Sequence, residues 1–275
     1  MTSLAAPDFA YICRLVRERS AIVLEPGKEY LALSRLEPLA RTAGLSSVGE
    51  LVGMLRRPGS MGLQEQVVDA MTTNETSFFR DVHPFESLRA DILPELVERN
   101  AATRRIQIWC AAASTGQEPY TVALVVRQHF PELASWDVRI RATDLSPTVL
   151  AKAEAGRFTQ LEVNRGLPAA LLVKWFRRAG AQWEISPEIR RMVTFERHNL
   201  SVPWPATAPV DLLFLRNVLI YFDLETKRGI LRQVRRALRP GGYLLLGGSE
   251  TTLTLDDTFE RVPRGRTAWY RSTTR

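Results

Sequence analysis

Ile106-Gln107-Ile108-Trp109-Cys110-Ala111-Ala112-Ala113-Ser114-Thr115-Gly116-Gln117-Glu118 is the stretch from which the fold can be read. Its first five residues form an apolar run of strand length. A turn of small residues follows, and Glu118 to Gln128 then has helical spacing through Ala123, Leu124 and Val126. Downstream the alternation continues. Val138 to Thr143 alternates with period two and ends in Asp144, after which Ser146-Pro147 offers an N-cap and a proline at the first helical position. Val193 to Arg197 reads as a strand, and Val210 to Leu215 as a buried one interrupted only by Asp211. Leu224 to Leu238 has a single apolar face, and Tyr243 to Leu246 is a strand after Pro240-Gly241-Gly242. Phe259 to Val262 and Ala268 to Tyr270 read as a closing hairpin. Alternating strands and helices predict an α/β fold, a doubly wound and mostly parallel sheet with a terminal antiparallel strand.

Upstream of residue 105 the pattern is helical. Asp8 to Arg19, Glu29 to Ala43 and Leu63 to Met71 have helical periodicity, and Ser47-Val48-Gly49-Glu50 has capping-box spacing ahead of Leu51, Met54 and Leu55. Pro84 to Glu98 reads as a fifth, longer helix. The expected division is a helical N-terminal domain over 1–72, a linker and helix over 73–104, and the sheet domain over 105–275. A short β-hairpin is expected inside the last, at about 173–186. Its strands are Trp175-Phe176-Arg177-Arg178 and Gln182-Trp183-Glu184-Ile185, turning at Ala179-Gly180-Ala181.

Composition limits the classes of function. Among 275 residues, 45% are hydrophobic and 24% charged, which fits a globular chain and not a disordered one. No apolar run reaches the roughly 18 residues of a membrane span, and no signal pattern opens the chain, so a cytoplasmic protein without membrane insertion is expected. With 2 Cys and 3 His, neither a disulfide framework nor a structural metal site is expected. The net charge is +7. Residues 1–100 hold 11 Lys/Arg against 14 Asp/Glu, and residues 101–275 hold 26 against 16, so the basic excess belongs to the C-terminal part. Such a field attracts nucleic acid, anionic lipid or an acidic protein surface, unless it is simply an Arg-biased solvated surface.

In doubly wound sheets ligands bind beyond the carboxyl ends of the strands, where strand order reverses. Here those ends lead into Ala111–Glu118, Asp144, His198-Asn199 and Arg216-Asn217. The first turn has small residues but one glycine, Gly116, so it is no phosphate cradle. Glu118 would repel a pyrophosphate and suits a cationic group; alternatively it only complements a helix dipole. Asp144 stands where an acidic residue accepts ribose hydroxyls, or where a turn needs a cap. A nucleoside with a cationic end and no phosphate describes S-adenosylmethionine, and the missing glycines disfavour NAD.

Four stretches carry a resemblance. Thr73-Asn74-Glu75-Thr76-Ser77-Phe78-Phe79-Arg80, Ala112-Ala113-Ser114-Thr115-Gly116-Gln117-Glu118-Pro119-Tyr120, Arg216-Asn217-Val218-Leu219-Ile220-Tyr221-Phe222, and Leu238-Arg239-Pro240-Gly241-Gly242 with Gly247-Gly248-Ser249-Glu250 resemble, in order, the motifs of CheR-type chemotaxis receptor methyltransferases. The resemblance implies a Rossmann-like methyltransferase that transfers a methyl group from S-adenosylmethionine to receptor glutamates, giving methyl esters. It implies cofactor contacts from Asn74, Thr76, Arg80, Glu118, Asp144, Asn199, Leu200, Arg216 and Asn217, with Arg80 and Tyr221 beside the transferred methyl. The implied partner is the cytoplasmic helical region of methyl-accepting chemoreceptors, not nucleic acid, and nothing demands more than a monomer. Taken alone, Asn74 and Thr76 read as turn or cap residues, Asn199-Leu200 as a turn and Tyr221 as a packed aromatic.

The family inserts a small antiparallel subdomain where this chain has its hairpin, and in some members that element docks a receptor peptide by strand addition. The shortness of the hairpin argues against such tethering. Arg35 and Arg41 lie on the polar face of the second helix; they are expected either to be merely solvated or to dock the acidic receptor. Two rival classes are weaker. A nucleic-acid amino-methyltransferase would carry Asn/Asp-Pro-Pro-Tyr/Phe where Arg216-Asn217-Val218-Leu219 stands, and neither Cys13 nor Cys110 follows a proline as a cytosine-C5 enzyme requires. Against a non-catalytic cofactor-binding protein stand Arg80 and Tyr221.

Overall fold

The computed structural model describes residues 4–206 and 208–273. It opens with four helices, α1 (Ala6–Ser20), α2 (Glu29–Thr42), α3 (Val48–Leu55) and α4 (Met61–Met71), packed around Ile12, Val16, Leu36, Leu51 and Val67, all fully buried. Local chemistry sets their ends. Pro7 and Asp8 occupy the first turn of α1, Arg17 and Arg19 its last, and Ala21 ends it in the left-handed region at φ 59°. Ser47 Oγ caps α3 by accepting the Glu50 N–H at 3.1 Å, while the Glu50 carboxylate returns to the Ser46 N–H at 2.8 Å, one residue before the expected partner.

The helix expected from Pro84 to Glu98 is interrupted. It runs as α5 (His83–Ser87), a π turn at Leu88–Ile92, and α6 (Leu93–Arg99). Pro94 has no N–H to give to the turn before it, and the wider turn absorbs that missing bond without ending the helix.

Next come β1 (Arg105–Ala111), α7 (Gln117–His129), β2 (Asp137–Asp144) and α8 (Pro147–Ala155). A small insert holds β3 (Arg157–Thr159), α9 (Gln160–Asn164), α10 (Ala169–Trp175), β4 (Phe176–Ala179) and β5 (Gln182–Ile185). Then follow α11 (Pro187–Arg190), β6 (Val193–Arg197), β7 (Val210–Leu215), α12 (Leu224–Ala237), β8 (Leu238–Leu246), β9 (Phe259–Arg264) and β10 (Thr267–Ser272). The main sheet has the order β6-β2-β1-β7-β8-β10-β9. Its first five strands are parallel, β10 is antiparallel to β8, and β9 is antiparallel to β10 at the edge. This is the expected α/β class. Alternate residues of β1 serve opposite faces: Ile108 and Cys110 pack with α5–α7, Trp109 and Ala111 with α12.

Two expectations need correction. The inserted hairpin is part of a three-stranded antiparallel sheet of order β3-β5-β4, because Arg157-Phe158-Thr159 pairs with Gln182-Trp183-Glu184. Strand β8 also starts five residues early. Pro240-Gly241-Gly242 reads as a turn but forms an irregularity within the ladder, with Gly241 at φ +71°. At the base of the sheet, the fully buried Asp211 accepts from the Gln107 N–H at 2.8 Å and Asn100 Nδ2 at 3.0 Å, which explains the lone acid in an apolar strand. Among the described residues, no helix is long and apolar enough to cross a membrane.

Candidate active site

Strand order reverses between β1 and β7, and there the carboxyl ends of β1, β2, β6 and β7 open into a cleft. Asn74, Thr76, Arg80, Glu118, Asp144, Asn199, Leu200, Arg216, Asn217 and Tyr221 all line it. Residues as far apart in sequence as Asn74 and Tyr221 thus meet in one place, because each follows a strand end or is carried across the strand ends by the segment after α4.

The turn after β1 lets backbone approach the cleft. Ala112 and Ser114 sit in the left-handed region at φ 60° and 51°, and Gly116 at +93°. A Cβ on Gly116 would lie 3.0 Å from the Ala153 Cβ, so this glycine serves helix packing as well as turn geometry. Asp144 fixes the turn: its Oδ2 accepts the Ser114 N–H at 2.8 Å, and its Oδ1 accepts the Ser146 N–H at 3.0 Å. Burial pushes the Asp144 carboxyl above its ordinary value against the pull of these backbone donors. Cap and cleft acid, weighed as alternatives in the sequence, are here one residue.

Glu118 opens α7 and is nearly buried. Its Oε2 accepts from the Arg216 guanidinium at 2.9 Å. The same guanidinium donates to Asp81 at 2.7 Å and to the Arg80 carbonyl at 3.1 Å, and it lies over the Phe85 ring at 5.5 Å. Glu118 therefore faces the cleft already paired. Burial nevertheless pushes its carboxyl above the usual value, with Arg216 opposing the shift. Two acids, Glu118 and Asp81, thus hold the one Arg216 guanidinium at this end of the cleft.

The segment 73–82 crosses the cleft under aromatic anchorage. Phe78 is fully buried edge-on to Phe158 at 4.9 Å and Phe176 at 5.7 Å, and Phe79 meets Phe85 at 5.7 Å. Phe79, Asp81 and Val82 all take positive φ, 49°, 69° and 53°. Between these anchors Arg80 reaches the cleft, its guanidinium donating to the Glu75 carbonyl at 3.1 Å. Asn74 Nδ2 donates to Thr72 Oγ1 at 2.9 Å, and the Asn74 carbonyl accepts from Ser114 Oγ at 2.8 Å.

The helical part supplies a wall. Ser20 and Ile22 line the cleft, Ile22 bridges to Phe222, and the Val23 N–H donates to the Tyr221 carbonyl at 2.9 Å. Asn199 completes the seam. Its Nδ2 donates to the Arg19 carbonyl at 2.9 Å and its Oδ1 accepts from Ser201 N and Oγ at 3.0 and 2.7 Å, so this amide joins two parts of the chain. Ser20, Ile22 and His198 are not marked as site residues by the sequence. No local pattern points to the first two, whereas His198 sits at a strand end that the sequence does indicate. Its ring stands edge-on to Trp109 at 5.5 Å and Trp204 at 5.3 Å, and burial lowers its pKa, keeping it neutral at neutral pH.

Arg35 is placed differently from the docking expectation. Its guanidinium donates to the Met71 and Thr72 carbonyls at 2.7 and 2.8 Å and to Thr73 Oγ1 at 3.0 Å, tying α2 to the start of the cleft segment. Burial lowers its pKa. Arg41 lies elsewhere, exposed beside a separate groove with Leu33, Ala40 and Leu45. The two arginines do not converge.

The cleft asks for a polar ligand. His198 Nε2, Asn217 Oδ1 and Arg216 Nε are buried without partners among the described residues, and all three side chains line it. Acids lie at two places, apolar Ile22, Ala112, Leu145 and Leu200 lie between, and the lining residues include no glycine cradle for phosphate. With the reversed β10 this combination defines the class: an S-adenosylmethionine-dependent methyltransferase of Rossmann-like fold.

Comparison with known proteins agrees. Residues 74–267 match the profile described as "CheR methyltransferase, SAM binding domain", and residues 7–72 match "CheR methyltransferase, all-alpha domain". Chemotaxis protein methyltransferase 1 of Pseudomonas aeruginosa is 42% identical over 265 residues, covering 94% of this chain and 96% of that protein. Chemotaxis protein methyltransferase 1 of Vibrio cholerae is 40% identical, covering 95% and 96%. A chemotaxis protein methyltransferase of Borreliella burgdorferi is 31% identical, covering 90% and 89%. The chain belongs to the CheR methyltransferase family.

Proposed function

We propose that this protein methylates glutamate side chains in the cytoplasmic helical region of chemoreceptors, forming methyl esters, and that it acts there as a monomer. The observation that carries the reading is convergence: the ten residues implied by the family resemblance, drawn from five separate stretches of the chain, line a single cleft at the switch point of the sheet.

The residues suit that chemistry. S-adenosylmethionine supplies an activated methyl group on a good leaving group. Asp144 would accept its ribose hydroxyls, Leu200 and Ile22 would flank the base, and Glu118 would face the cationic methionyl end. Asn74, Thr76, Asn199, Arg216 and Asn217 would close around it, with Asn199 also tying the wall to the Arg19 carbonyl. A glutamate carboxyl ordinarily titrates at about 4.3, so the acceptor is ionised at neutral pH and needs no general base. The work left to the protein is alignment of carboxylate oxygen with methyl carbon, and exclusion of water. Positioning of this kind supplies roughly 7–11 kcal/mol in favourable cases. Arg80 would hold the acceptor carboxylate, and Tyr221 would border the methyl position.

Labelled S-adenosylmethionine tests the reading when offered with receptor cytoplasmic fragments and, separately, with DNA and RNA. Base-labile label on receptor fragments is expected. Label confined to nucleic acid would overturn it.

A further inference from the structure

The loop 216–221 after β7 presents Arg216, Asn217 and Tyr221 to the cleft, yet it has little regular structure of its own. Asn217 is in the left-handed region at φ 56°, and only a single 3-10 turn, Leu219–Tyr221, follows. Its backbone donors converge on one side chain. Glu250 Oε2 accepts the Asn217 N–H at 2.7 Å and the Gly247 N–H at 2.8 Å, and Oε1 accepts the Val218 N–H at 2.9 Å and the Ile220 N–H at 3.3 Å. The turn that delivers Glu250 is closed by its own N–H to the Gly247 carbonyl at 2.9 Å. At Gly247 no side chain could stand: a Cβ would lie 2.8 Å from Asn217 N and 2.7 Å from its Nδ2.

We infer that Glu250 is a positioning residue for methyl transfer, its carboxylate acting as the template on which loop 216–221 takes its cleft-facing shape. This rests on the function proposed above. A carboxylate fits the task because it offers two oxygens and donates nothing, so four converging N–H groups meet acceptors only. The residue reaches no reacting atom. It acts through Asn217 and Tyr221, whose backbone or immediate neighbours it holds. Where loop geometry is this dependent on one side chain, displacing it by about 1 Å costs on the order of a hundredfold in rate.

Glu250→Gln is nearly isosteric but turns an amide NH2 toward two N–H groups. Three readouts decide the matter: calorimetric affinity for S-adenosylhomocysteine, single-turnover methyl transfer at saturating cofactor, and the melting curve. Glu250→Gln should weaken S-adenosylhomocysteine binding about fivefold, in line with lost and opposed hydrogen bonds. Transfer should slow at least about tenfold while the Michaelis constant for receptor changes little. In a Tyr221→Ala background the same substitution should slow transfer by a smaller factor than in the wild type, since one of its two routes of action is already gone. Glu250→Asp, which keeps the charge but shortens the reach, should recover part of the loss. Unchanged binding and transfer with a cooperative melt would overturn the assignment, and so would an equal loss in both Tyr221 backgrounds. Weakened S-adenosylhomocysteine binding in the variant, together with a wild type that leaves receptor glutamates unmodified, would support the role of Glu250 and overturn the receptor reading instead.

Discussion

Asp144 and Glu118 do structural and ligand-facing work with the same carboxylates. Asp144→Ala removes the acceptor for the Ser114 and Ser146 N–H groups as well as the proposed ribose acceptor. Each unpaired buried group costs ~1–3 kcal/mol, so S-adenosylhomocysteine affinity should fall at least about fivefold and the melting temperature should fall with it. Unchanged calorimetric affinity would refute the ribose assignment. Burial raises both carboxyl pKa values. The folded protein then holds these protons more tightly than the unfolded chain does. Their contribution to stability is full below the ordinary values of about 3.9 and 4.3, and is lost as pH rises through the raised ones. A cationic cofactor prefers the ionised forms. Its affinity should fall on acidification into the window above the ordinary carboxylate values, with proton release on binding in that window; calorimetry in buffers of different ionisation enthalpy measures it. Affinity independent of pH through that window would contradict the assigned role of Glu118. Both acids are legible in the sequence because each follows an apolar strand or its turn. The pairing of Glu118 with Arg216 and the bond from the Asn199 amide to Arg19 are not, since both depend on contacts across more than 90 positions.

At the scale of elements, the segment 73–82 is held from two directions. Arg35 fixes its start through the Met71, Thr72 and Thr73 contacts, so Arg35→Glu should weaken cofactor binding, whereas Arg41→Glu should leave it intact. Equal cofactor affinity in both variants would return Arg35 to the solvated surface. Gly166, in the loop between α9 and α10, fixes the far side. It sits at φ +91°, and a Cβ there would lie 2.0 Å from the Phe78 carbonyl oxygen. Gly166→Ala should cost about 1–3 kcal/mol or more of stability, read from the urea midpoint, and should lower cofactor affinity by moving the Arg80 segment. An unshifted midpoint would show that the loop yields. Long periodic helices such as α1 and α12, and the continuous apolar run of β7, can be read directly from the sequence. Strand β3 cannot, because three residues are too few to display alternation and its partner lies beyond two helices. The π turn escapes for a similar reason: Pro94 is compatible with a helix interior only through a turn that periodicity does not encode.

Across the whole molecule, helices and sheet share one cleft, closed by the Ile22–Phe222 bridge and the Asn199–Arg19 bond and reinforced by the Arg17–Asp223 ion pair at 2.8 Å. The basic excess lies in residues 101–275. An acidic receptor helix should therefore be met faster and held better at low ionic strength. Raising salt from about 0.01 to 0.15 M, which shortens screening from roughly 30 to 8 Å, should raise the Michaelis constant for receptor several-fold and leave S-adenosylhomocysteine affinity nearly unchanged. A salt-independent constant would place docking on apolar contact. The central claim, that the cleft aligns a receptor glutamate with the activated methyl group, is tested most directly by tandem mass spectrometry of a receptor cytoplasmic fragment after incubation with the protein and S-adenosylmethionine. The predicted result is one added methyl group on identified glutamates, removed by mild alkali as methanol, and abolished by Arg80→Ala in a protein that still folds and binds S-adenosylhomocysteine. A fragment recovered without methylated glutamate, or methylated on another residue type, would contradict it.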